Sequence, residues 1–189
     1  MSISIIIVSF NNFEETTGRC LHFLRQDPDF QNWEIIIVDN CSEAATQAAL
    51  EEATNGAHNI TAIFNSQNLG FSGGNNIGIA KATGRHIVLL NSDAFPPPGM
   101  INKLVARLDN NPDIGMLGPI TNSAGNEQQI FTRGHTLQQK MEEGGNYACA
   151  GQSNLIRAYR MDFFCVAIPR TVIDKVGLLD EAFGRGYFE

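Results

Sequence analysis

Two aspartates stand just past continuous apolar runs. Asp39 closes Ile35-Ile36-Ile37-Val38, and Asp93 follows Ile87-Val88-Leu89-Leu90 after Asn91 and Ser92. A third run, Ser4-Ile5-Ile6-Ile7-Val8, opens onto Ser9-Phe10-Asn11-Asn12. Runs that are continuously apolar fit strands covered on both faces, as in a parallel sheet, although short buried helices share that pattern. If the strands are parallel, Ser9, Asp39 and Asp93 emerge at one sheet edge, where open α/β sheets bind their ligands. Carboxylates in such a place can hold a hard divalent cation, accept hydrogen bonds from a ligand or take up a proton. Each acid taken singly can equally cap the next helix, as Asp, Asn and Ser often do. Two acids after two such runs shift the balance toward a polar site.

The segment Asn68-Leu69-Gly70-Phe71-Ser72-Gly73-Gly74-Asn75-Asn76-Ile77-Gly78 is rich in glycine and amide side chains. It is neither the Gly-x-Gly-x-x-Gly dinucleotide fingerprint nor a phosphate loop ending in Gly-Lys-Ser/Thr. Its glycines permit close backbone approach to a ligand or tight helix packing, and Asn75 and Asn76 are placed to bond a sugar or base. Cys20, Cys41, Cys149 and Cys165 form no Cys-x-x-Cys pair, so zinc and thioredoxin-like chemistry are disfavoured and a reducing compartment fits. His22, His58, His86 and His135 are equally dispersed and read as structural or surface residues.

The elements that must position these residues alternate in type. Strands are expected over residues 4–8, 34–38, 60–64 and 86–90, and helices over 13–24, 44–54, 72–82 and 99–108. That order predicts an α/β layer fold. A further strand is expected at 114–117, a short helix at 137–142, ordered chain from 161–168 and a helix from 170–176, with a thinly apolar stretch over 118–151 of the kind that is functional or mobile. A length of 189 residues supports one domain, with a core large enough to need no disulfide or metal staple. Thirteen Lys plus Arg against twenty Asp plus Glu give a net charge of −7, the wrong sign for gripping a phosphate backbone, so nucleic-acid binding is disfavoured. No apolar run approaches the roughly 20 residues of a membrane span, and no secretory leader is evident, so a cytoplasmic protein is expected.

Taken in order, Ile5-Ile6-Ile7-Val8-Ser9-Phe10-Asn11-Asn12, Ile37-Val38-Asp39-Asn40-Cys41-Ser42, Asn68-Leu69-Gly70-Phe71 and Leu89-Leu90-Asn91-Ser92-Asp93 resemble glycosyltransferase family 2, a group of inverting transferases with a GT-A fold. Phe164-Cys165-Val166-Ala167-Ile168-Pro169-Arg170 and Val176-Gly177-Leu178-Leu179-Asp180-Glu181-Ala182-Phe183 are similar to that family's acceptor-side region. The resemblance spans nearly the whole chain. It implies a central, mostly parallel sheet flanked by helices in a single domain over residues 1–189. Residues 1–117 would form the nucleotide-sugar half and 118–189 the acceptor-side half.

The resemblance also implies site residues. The backbone around Ser9 and Phe10, with the Asp39 carboxylate, would hold base and ribose; Asn68, Gly70, Gly74 and Asn75 would line the same cleft. Asn91-Ser92-Asp93 stands where the family has Asp-x-Asp, with Asp93 the expected ligand of Mn²⁺ or Mg²⁺ and Asn91 in place of the first acid. The donor would be a nucleotide-diphosphate sugar of uridine or thymidine type. The acceptor would be a glycan or a lipid-linked sugar in polysaccharide or glycoconjugate synthesis, with peripheral association at the inner face of the membrane compatible with it. The family's base comes from an acidic pair after a Gly-Tyr-Phe-like segment. Gly186-Tyr187-Phe188-Glu189 supplies only the first acid, so a catalytic domain truncated at its C-terminal end is expected, with Glu189 the one candidate inside the sequence. Two other readings share parts of this pattern. A nucleotidyltransferase would want a Lys or Arg in the first strand-to-helix turn, which residues 9–15 lack. A binding module would keep the fold without turnover.

Overall fold

The computed structural model describes residues 2–150 and 154–184. Five strands form one sheet: β1 (Ile3–Ser9), β2 (Glu34–Asp39), β3 (Ile60–Phe64), β4 (His86–Leu90) and β5 (Cys165–Pro169), in the order β3-β2-β1-β4-β5. The first four strands run parallel, and β5 pairs antiparallel with β4 at the edge. This is the α/β architecture expected from the sequence. Its apolar runs are continuous because both faces of the sheet are covered. On one face Ile5, Ile7, Ile35, Ile37, Val88 and Leu90 meet helices α1 (Thr17–Leu24), α2 (Ala44–Thr54) and α4 (Met100–Asn110). On the other, Ile6, Ile36, Val38, Ile87 and Leu89 lie under α3 (Gly70–Lys81).

Helix α3 sits unusually close to β1, and glycine makes this possible. A Cβ at Gly78 would stand 2.3 Å from Cγ2 of Ile6, and one at Gly74 would stand 2.9 Å from Cγ1 of Val8. The parallel register sets Ser9 beside Asp39 at the carboxyl ends of β1 and β2. The sheet thus delivers the first two loops to one place.

Three elements differ from the sequence expectation. Helix α1 begins at Thr17, four residues late, because Asn11 and Asn12 take left-handed backbone angles (φ 52° and 48°) and the next amides fold back onto the Asn12 carbonyl. Asparagine tolerates that conformation better than most residues, so a tight turn replaces the first helical turn. Residues 114–117 make only an isolated bridge, Leu117 to Ala167, in place of a strand. Helix α5 (Leu137–Ala150) runs through Gly144 and Gly145 well past the expected short helix, and α6 (Arg170–Val176) follows β5 as expected.

Candidate functional site

A cleft of about 350 Å³ opens at the carboxyl ends of β1, β2 and β4. It brings together six of the residues singled out from sequence: Phe10, Asn68, Gly70, Asn91, Ser92 and Asp93. Val8, Thr16, Asn40 and Phe71 complete its lining. Phe10 is half exposed there, a flat apolar face beside polar walls. Ser9 and Asp39 are fully buried behind this surface. The Ser9 Oγ accepts a hydrogen bond from the Thr17 hydroxyl at 2.8 Å, which anchors the start of α1 to the end of β1.

The Asp39 carboxylate divides its oxygens. Oδ2 accepts from the Ser42 backbone amide at 3.0 Å and from the Gln47 side-chain amide at 3.1 Å. Oδ1 is buried and has no partner among the described residues. An acceptor in this position is open to one further hydrogen-bond donor. Asp39 thus ties the turn before α2 to that helix through one oxygen, while Glu43 holds the cap position and Oδ1 has no partner among the described residues.

Asn40 organises the glycine-rich loop. Its side-chain oxygen accepts from Asn65 Nδ2 (3.0 Å) and the Leu69 amide (3.1 Å), while its Nδ2 donates to Asn68 Oδ1 (3.1 Å) and the Gly70 carbonyl (2.8 Å). Asn68 Oδ1 also accepts from the Gly70 amide at 2.9 Å. Gly70 needs its φ of +73° to enter α3, a conformation that favours glycine. Sequence reading passed over Asn40 as a hub; the signal was an amide directly after an acid at a strand end.

Gly74 and Asn75 sit apart from the cleft lining. Gly74 faces Val8, and Asn75 donates back to the Phe71 carbonyl at 3.0 Å within α3. Asn76 holds the later chain: it accepts from the Leu179 amide (3.0 Å) and donates to the Leu179 carbonyl and to Glu181 Oε1 (2.9 Å each). Glu189 lies outside the described residues.

At the end of β4, the Asn91 amide donates to the Phe164 carbonyl at 2.8 Å, and Ala94 bonds back to the Asn91 carbonyl at 3.1 Å. The resulting turn carries Asp93 exposed at the cleft. Among the described residues no group of three His, Cys, Asp or Glu side chains gathers to hold a metal unaided. One carboxylate with neighbouring amide and hydroxyl oxygens still fits Mg²⁺ or Mn²⁺, which commonly complete their shell with substrate phosphates and water. Cys20 and Cys165 are buried, and Cys20 lies close to the Asn91 carbonyl. Burial raises both thiols, Cys165 to about 12, so they stay protonated and serve neither as nucleophiles nor as metal ligands.

Residues 4–173 match the family described as Glycosyl transferase family 2. The chain belongs to that family. A putative teichuronic acid biosynthesis glycosyltransferase from Bacillus subtilis, TuaG, is 30% identical over 94 residues, covering 48% of this chain and 35% of its own. Among solved structures, the mannosyltransferase PcManGT from Pyrobaculum calidifontis, in complex with GDP-Man and Mn²⁺, superposes with a TM-score of 0.71 at 16% identity over 97% of this chain and 48% of its own. Residues 1–349 of S. aureus TarS with UDP give 0.68 at 19% identity, covering 96% and 51%. These neighbours share the GT-A fold with this chain. The chain spans 35–40% of the length of the curated relatives it matches and about half of these solved structures.

Proposed function

We propose that the cleft binds a nucleotide-diphosphate sugar of uridine or thymidine type and that the protein transfers its sugar, with inversion, to a glycan or lipid-linked acceptor in polysaccharide or glycoconjugate synthesis. The observation that carries this reading is the free, buried Oδ1 of Asp39, at the same sheet edge as the exposed Asp93. A buried carboxylate oxygen asks for a donor, and a base N–H or ribose hydroxyl supplies one. Phe10 offers its exposed ring face to the base, a contact that tolerates any π-system. Asn68 and Gly70 line the same cleft as Asp93.

Asp93, with Asn91 and Ser92 beside it, would hold Mn²⁺ or Mg²⁺, whose charge offsets the charge developing on the departing nucleoside diphosphate. In the transfer an acceptor hydroxyl attacks the anomeric carbon from the face opposite the diphosphate, and the bond to the diphosphate oxygen breaks. A carboxylate takes the hydroxyl proton, the role for which Glu189 is the candidate within the sequence. Support for a nucleotide-sugar donor comes from the neighbours that carry GDP-Man with Mn²⁺ or UDP, the TarS complex being the one of these two with a uridine nucleotide, and support for polysaccharide synthesis from the name of the Bacillus relative. A lipid-linked acceptor would bring the protein to the inner face of the membrane as a peripheral enzyme. No helix among the described residues is long and apolar enough to cross it.

The test is release of nucleoside diphosphate from a panel of nucleotide sugars, followed with and without Mn²⁺. Metal-stimulated release from uridine or thymidine donors supports the reading. Nucleotide binding without release from any donor, with or without an acceptor extract, would reduce the protein to a binding module.

A further inference from the structure

We propose that Gln47 selects the base of the donor: by occupying one oxygen of Asp39 it leaves a single acceptor oxygen, which suits uracil or thymine and works against guanine. The inference rests on the donor-site reading above, in which Asp39 meets the base.

A carboxylate has two oxygens and about four lone-pair sites. Oδ2 of Asp39 has both of its sites taken, one by the Ser42 amide at 3.0 Å and one by Gln47 Nε2 at 3.1 Å. Oδ1 has none taken among the described residues, and the whole side chain is shielded from solvent. A base that reaches this carboxylate, as the donor-site reading requires, finds one oxygen open to it. The pairing edge of uracil or thymine carries one N–H between two carbonyls, so a single acceptor satisfies its only donor. Guanine presents two adjacent donors, a ring N–H and an exocyclic amino group, which pair best with both oxygens of a carboxylate in a fork. With Oδ2 already committed, the second guanine donor enters a buried site without an acceptor. The arrangement thus ranks uracil and thymine above guanine.

The two partners of Oδ2 differ in kind. Ser42 contributes a backbone amide, which almost any residue would supply. Gln47 contributes a side chain from the first turns of α2, half-buried eight residues after Asp39, so its identity alone decides whether the second oxygen is closed. Gln47 acts through Asp39 and is a positioning residue.

The experiment is titration of UDP and GDP, at one fixed Mn²⁺ concentration, into the parent chain and into Gln47→Leu and Gln47→Lys. Thermal unfolding confirms that all three are equally folded. The parent should prefer UDP by roughly tenfold or more, the size of one buried donor left unpaired. Gln47→Leu, which keeps bulk and removes the donor, should narrow that ratio by roughly five- to tenfold, mostly by improving GDP. Gln47→Lys restores a donor to Oδ2 and should keep the preference; its added charge acts on the same diphosphate in both ligands and cancels in the ratio. A UDP preference that Gln47→Leu leaves untouched, or equal losses for UDP and GDP, overturns the assignment of Gln47 while the donor site stands. A parent that binds neither nucleotide overturns the donor-site reading and the proposal together.

Discussion

Asp39 and Asp93 are both acids just past a strand, yet their surroundings assign them different work. Asp39 is buried, tied by one oxygen to Ser42 and Gln47 and free at the other, whereas Asp93 is exposed in a turn at the cleft. A buried carboxylate that meets a nucleoside contributes about 1.5–3 kcal/mol through a charge-assisted bond. Asp39→Ala should therefore weaken UDP binding by roughly tenfold or more, with and without metal, when followed by calorimetry. Normal UDP affinity in that variant would leave Asp39 with only its local bonds to Ser42 and Gln47. The positions of both acids were legible in the sequence, since each follows an apolar run. Their split of roles was not, because burial and the pairing of Oδ2 depend on α2 folding back over the strand end. For Asn40 the sequence carried only a residue type; its four hydrogen bonds join segments about 25–30 residues apart.

Among the elements, α3 shows how a weak sequence signal becomes definite in three dimensions. Its glycines suited ligand contact and helix packing equally well on paper. In the fold Gly74 and Gly78 press against Val8 and Ile6, while Gly70 alone of these three borders the cleft. Gly78→Ala should destabilise the protein by about 1–3 kcal/mol in urea unfolding, because overpacking against Ile6 outweighs the helix propensity gained. Gly144→Ala, in open space on α5, should instead stabilise by up to about 1 kcal/mol. Equal effects at the two sites would contradict the close approach of α3 to β1. Periodicity located α2 and α6 well and misplaced the start of α1, since the left-handed angles at Asn11 and Asn12 leave no trace in hydrophobic patterning.

Over the whole molecule, one sheet couples two ends with different chemistry: the cleft at the carboxyl ends of the parallel strands and, at the opposite end, the buried His86 at the start of β4. His86 Nε2 lies 3.1 Å from Asp109 Oδ1, and its Nδ1 has no partner among the described residues. Burial holds its pKa below the ordinary value; Asp109 pulls it upward and Arg85 adds to the lowering. A histidine depressed in the folded state contributes stability that is present above its unfolded pKa, about 6.5, and is lost as pH falls through the folded value. The unfolding free energy of the parent minus that of His86→Leu should fall as pH drops below about 6.5, and a rise would contradict this sign. The fold class was legible because four of the five strands announce themselves as short apolar, β-branched runs. The antiparallel docking of β5 was not, since it joins residues about 80 positions apart in sequence. In the proposed function Asp39 and Asp93 act as a pair on one donor. The decisive measurement is the affinity of UDP with and without Mn²⁺ for the parent and for Asp93→Asn. Tighter binding with Mn²⁺ is expected in the parent, and in Asp93→Asn a metal-free affinity close to the parent's with the Mn²⁺ enhancement largely gone. An equal Mn²⁺ enhancement in both proteins would contradict that pairing.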